Sequence, residues 1–149
     1  MYLLERATRK VVKLCQDKIM ISNKLPLSFH FFELTKLLYD SGVSSNIVLI
    51  PAMLHGSIDQ FGVTHTELSK EFTPLIADVI QEFEIVIREK RYPHRLKKEV
   101  SILYIFDKYL HTKEAYGETD SIFPLQIDWF KQIDVTQIMS NNTYINHIL

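Results

Sequence analysis

The sequence has one cysteine, Cys15, so no intrachain disulfide can form and a zinc site built on several thiolates is excluded. It has only four glycines in 149 residues, and its apolar residues recur mostly at helical spacing, which points to an all-α protein. Long apolar runs are absent. The richest stretch, Ile47 to Leu54, falls far short of the roughly 20 residues a membrane span needs. No secretion signal is expected, because Glu5, Arg6, Arg9, Lys10 and Lys13 interrupt any apolar run near the start. Neither charge sign dominates. A net charge of -1 and a pI near 6.6 give no general electrostatic reason to bind nucleic acid or an anionic membrane. The sequence also lacks a Gly-rich phosphate loop, a dinucleotide fingerprint and a Gly-x-Ser-x-Gly elbow. A cytoplasmic, reducing setting is the expectation.

What is present fits one globular domain spanning 1–149, with 46% apolar and 23% charged residues and no internal repeat or linker. Leu3, Leu4, Ala7, Val11, Leu14 and Cys15 predict an amphipathic helix from Tyr2 to about Ile21. A second is expected from about Ser28 to Asp40, with Gly42 as its stop. A third, capped by Ser44 or Ser45 and ending near His55-Gly56, is apolar almost all round and so belongs at the centre. Thr64 to Glu67 has capping-box spacing, and Thr73-Pro74 reads as a cap followed by proline at the first helical position. The helix from Pro74 should reach about Arg88, and another should run from Pro93 through Asp107 to His111. A loop from Tyr116 to Phe123 and a last helix from about Leu125 to Met139 complete the expected order.

Three potential metal ligands fall at helix positions worth noting. His30 opens the second helix, His55 ends the third, and Asp107 lies on the helix after Pro93. Singly each has an ordinary explanation: a hydrogen-bonded core histidine, or a solvated aspartate. Cys15 lies on the apolar stripe of the first helix, where a small buried thiol is the expected role. His65 and His111 read as exposed residues near helix ends.

The context changes the weighting. His30-Phe31-Phe32-Glu33 is followed by Ile47-Val48-Leu49-Ile50-Pro51-Ala52-Met53-Leu54-His55, then Gly62-Val63-Thr64, then Leu68, Phe72 and Ile76. Later comes Ile105-Phe106-Asp107-Lys108-Tyr109. This succession, over about Leu3 to His111, resembles the HD-domain (p)ppGpp hydrolases of the RelA/SpoT family, including the small alarmone hydrolases. The resemblance implies an HD-like bundle of five or more helices. It further implies a manganese ion held by two histidines and two aspartates, which activates water against the 3′-diphosphate. Carried over, His30, His55 and Asp107 are metal ligands and Asp59 is the remaining candidate catalytic carboxylate. Lys18 falls in the segment beside the nucleotide base. Arg88, Arg91, Arg95 and Lys98 belong to a basic run able to meet phosphates.

The departures matter as much. Gly56 stands where the signature has its second aspartate, removing a ligand and a negative charge. Gln60 replaces one of the following acidic pair and cannot act as a base. Pro51 interrupts the third helix one turn before His55. A catalytically impaired pseudo-hydrolase that binds a nucleotide such as (p)ppGpp or a protein partner is therefore the leading expectation, with manganese held weakly or lost. The alternatives are an active metal-dependent phosphohydrolase with a rebuilt site and a pure protein-interaction module.

Overall fold

A computed structural model describes residues 2–20, 25–89 and 97–116 of the chain, with side chains to residue 111. Among these residues there are six helices and no strand: α1 (Tyr2–Cys15), α2 (Ser28–Asp40), α3 (Asn46–Leu54), α4 (His65–Glu71), α5 (Pro74–Glu89) and α6 (Lys98–Tyr116). The all-α expectation is met. Arg91 and Arg95, and the expected C-terminal helix from Leu125 to Met139, lie outside the described residues. No helix of the described part is long and apolar enough to cross a membrane.

Local chemistry sets the helix starts. Ser45 accepts a hydrogen bond from the Ile47 N–H, Thr64 from Glu67 and Thr73 from Ile76, so each side chain satisfies a donor that a new helix leaves open. Gly42, with φ +105°, follows α2 in the left-handed conformation that suits a helix stop. The first helix is shorter than its apolar spacing suggests. After Cys15 the backbone turns, and Ile19 pairs with Pro26 in an isolated antiparallel bridge.

The nearly all-apolar α3 packs against α1, α2, α5 and α6. It feeds two core clusters. Leu49 and Ala52 join Leu34, Leu38, Phe83, Leu103 and Phe106, while Ile50, Met53 and Leu54 join Ala7, Val11, Leu68 and Ile80. α6 is a second buried helix, with every residue from Val100 to Asp107 buried. α4 rests on α5, where His65 Nε2 lies 2.7 Å from Asp78 Oδ1. Pro51, inside α3, has no N–H to give to the preceding turn.

Cys15 is buried in the second cluster, as its place on the stripe suggests. Burial pushes its thiol up to about 11, against a smaller opposing effect of the Lys18 charge. Only the thiolate reacts, so at pH 8 the folded chain should hold roughly a hundredfold less of it than an ordinary cysteine. Iodoacetamide labelling should accordingly be slow on the native protein and fast in urea. Equal rates would show that Cys15 is accessible.

Candidate metal centre

Two helix ends and one helix interior deliver the site. His30 sits in the first turn of α2, His55 is the C-cap of α3, and Asp107 ends the buried run of α6. All three side chains are buried. His30 Nε2 is 3.0 Å from Asp107 Oδ1 and 3.3 Å from His55 Nε2, and His55 Nε2 is 3.4 Å from the same Asp107 oxygen. Residues chosen from the sequence as ligands therefore meet at one point.

The orientation of His55 is fixed by its other nitrogen. Nδ1 lies 2.8 Å from the Ala52 carbonyl oxygen, to which it donates, so the proton is held there and Nε2 presents a lone pair to the cluster. The backbone carbonyl thus does for His55 what an outer carboxylate does for many metal-bound histidines. Phe31 and Phe83 pack edge-on or tilted against the His55 ring, at centroid distances of 4.9 and 5.2 Å.

Asp107 is the charge at the centre. Burial alone would push its carboxyl up, but hydrogen bonds from His111 and His30, together with the nearby His55 ring, outweigh this and hold it well below the usual carboxylate range. It therefore stays an anion. His111, one turn further along α6, places Nε2 3.4 Å from Asp107 Oδ2. Its ring lies against that of His30, with centroids 4.5 Å apart. This corrects the reading of His111 as a helix-end residue: α6 continues to Tyr116, and the imidazole faces the site although its side chain is 57% exposed.

The donor chemistry fits a divalent ion. His30, Asp107 and His111 form a possible metal-ligand group whose ligand atoms lie within 4.8 Å of one another. His55 lies outside that group of three but places Nε2 3.3 Å from His30 Nε2 and 3.4 Å from Asp107 Oδ1. Ligands about 2.0–2.2 Å from an ion lie roughly 3.0–3.5 Å from their neighbours, which is the spacing of His30, His55 and Asp107 here.

A cavity of about 560 Å³ opens over the cluster, lined by His30, His55, Gly56, Asp59, Glu84 and His111 among others, with Ile19, Met20, Leu27, Phe31 and Ile87 as apolar wall. Asp59 reaches this cavity, but its carboxylate is paired with Arg88, whose Nη1 lies 3.0 and 3.2 Å from the two oxygens. Two residues read separately from the sequence, one as catalytic and one as phosphate-binding, are each other's partners. Lys98, at the exposed start of α6, and Lys18, whose ammonium lies 5.7 Å from the Phe61 ring centroid, are not among the described lining residues.

Glu84 is a site residue that sequence reasoning passed over. It occupies the buried stripe of α5, and its carboxylate accepts hydrogen bonds from the backbone N–H groups of Ile58 and Asp59 at 3.2 and 2.9 Å. It thereby fixes the turn that follows His55. Burial raises its carboxyl above the ordinary value, partly offset by these two N–H groups.

Gly56 has φ +89°, a backbone region that side chains disfavour, and a Cβ there would meet Gln60 Nε2 at 3.2 Å. The turn after His55 is thus built around glycine. Gly56→Asp is expected to lower stability by about 1–2 kcal/mol in urea unfolding, mainly through backbone strain. A variant as stable as the natural chain would show that the turn relaxes to accept a side chain.

Fold and site together define an all-helical domain with a histidine–aspartate cluster at the floor of a cavity. No protein-family model matches the chain, and no curated protein matches it either.

Proposed function

We propose that the chain is an HD-type domain akin to the (p)ppGpp hydrolases of the RelA/SpoT family. In this reading it holds a divalent ion on His30, His55 and Asp107, and it binds a phosphorylated nucleotide that it hydrolyses slowly or not at all. One observation carries the metal part. Residues 25 and 77 positions apart in sequence bring three ligand atoms within 3.4 Å, in a buried setting that needs no such cluster for packing. The alarmone class comes from the sequence resemblance, and the cytoplasmic setting from the single cysteine and the charges that interrupt any apolar run near residues 5–13.

A bound ion would neutralise phosphate charge and acidify a water molecule. The chain's own groups do the rest. His55 keeps its lone pair directed inward, Leu27, Phe31 and Ile87 give the cavity apolar walls, and Arg88 shares its charge with Asp59, which lines the cavity. Slow turnover follows from the carboxylates. Asp59 is held by Arg88, Glu84 is committed to two backbone N–H groups, and position 60 is glutamine, so neither carboxylate among the described lining residues is left unengaged to take a proton from water.

The test is (p)ppGpp binding by calorimetry and turnover by chromatography, with added manganese or zinc. Metal-dependent binding without appreciable turnover is expected. Fast hydrolysis would sink the impaired-enzyme part, and no binding in either metal would sink the nucleotide part. A second reading, an active hydrolase with a rebuilt site, is favoured by the position of His111 beside Asp107.

A further inference from the structure

His111 has no counterpart among the ligands that the resemblance implies, yet it completes the cluster physically. Asp107 and His111 are four residues apart on α6, so they share one face of the helix. An Asp–His pair at this spacing on a solvated helix is ordinary. Here the aspartate is 3% exposed and its Oδ1 already faces two imidazoles, while Oδ2 faces His111. The His111 ring also lines the cavity and packs on His30, so the pair forms the rim of a four-residue cluster.

We propose, resting on the metal-binding reading above, that His111 supplies a fourth protein ligand in place of the carboxylate missing at Gly56, and that the resulting centre favours Zn²⁺ over Mn²⁺ more strongly than a two-histidine, two-carboxylate site does. Exchanging a carboxylate for an imidazole replaces a hard oxygen donor with a borderline nitrogen donor. Manganese and magnesium favour oxygen, whereas zinc and its late-transition neighbours favour imidazole. The substitution also changes charge. Three neutral histidines and one carboxylate leave a divalent ion with a net +1, which suits an anionic ligand such as a phosphate group. Zinc outranks manganese on most nitrogen and oxygen sites, so the diagnostic quantity is the change in preference when residue 111 changes.

The experiment uses the full chain, stripped of metal by a chelator, and three variants: His111→Ala, His111→Asp and His30→Ala. Zn²⁺ affinity is read by competition with a chromophoric indicator, Mn²⁺ by the resonance of the free ion, and coordination by the visible spectrum of added Co²⁺. Circular dichroism checks that each variant is folded. His111→Ala is expected to weaken Zn²⁺ binding at least about tenfold and to alter the Co²⁺ spectrum. His111→Asp is expected to move the preference toward Mn²⁺. Unchanged Zn²⁺ affinity and Co²⁺ spectrum in His111→Ala, with binding lost in His30→Ala, would overturn the role of His111 and leave the metal centre standing. Failure of the natural chain to bind any of the three ions would overturn both.

Discussion

Replacing Asp107 by alanine is expected to destabilise the domain by about 3–5 kcal/mol and to abolish divalent-metal binding. The carboxylate is buried and lies against the rings of His30, His55 and His111. Its loss leaves polar ring atoms in the interior facing a void, and that desolvation is what removing one partner of a buried pair costs. Asp107→Asn separates the two effects. It keeps the size and an acceptor oxygen, so most of the stability should remain, while the lost charge should still weaken metal binding. Urea midpoints and metal uptake measured on both variants check this. An alanine variant within about 1 kcal/mol of the natural protein would mean that the cluster does not hold the helices together.

Phe83→Ala is expected to cost about 3–5 kcal/mol. The ring is fully buried on α5, packed with the cluster that contains Leu34, Leu49 and Leu103. It also lies against His55, with centroids 5.2 Å apart. The truncation therefore opens a cavity in the core and removes one wall that sets the His55 ring. Metal affinity should fall with stability, whereas Phe83→Leu, which refills most of the space, should lose much less of either. A small loss in Phe83→Ala, under about 1 kcal/mol, would show that the neighbouring helices collapse to fill the gap.

The helix starts were legible because they rest on short-range chemistry. Ser45, Thr64 and Thr73 cap the helices that their positions in the sequence suggest. The end of α1 was not, because Ile19 and Met20 continue an apolar rhythm after the backbone has already turned toward the Ile19–Pro26 bridge. Periodicity records which side chains are apolar, not where the helical hydrogen bonds stop.

The candidate site divides in the same way. His30, His55 and Asp107 were found through a resemblance, since their spacing carries no signal by itself, and they converge only because α2, α3 and α6 pack together. His111 was passed over although it lies four residues after Asp107, a spacing that already places both on one helix face. Glu84 had a signal too. It is an acidic residue on a stripe with Ile76, Ile80 and Phe83, where a charge must find partners, and it finds them in the turn after His55. The Asp59–Arg88 pair had none, because its members are 29 residues apart and meet only through the fold.

The metal centre is tested most directly by equilibrium dialysis of the natural chain and of His55→Ala against manganese and zinc, with bound metal counted by atomic absorption. About one ion per natural chain and none in the variant is the expected result. Equal uptake by both proteins, or no uptake by either, would contradict a centre built on His30, His55 and Asp107.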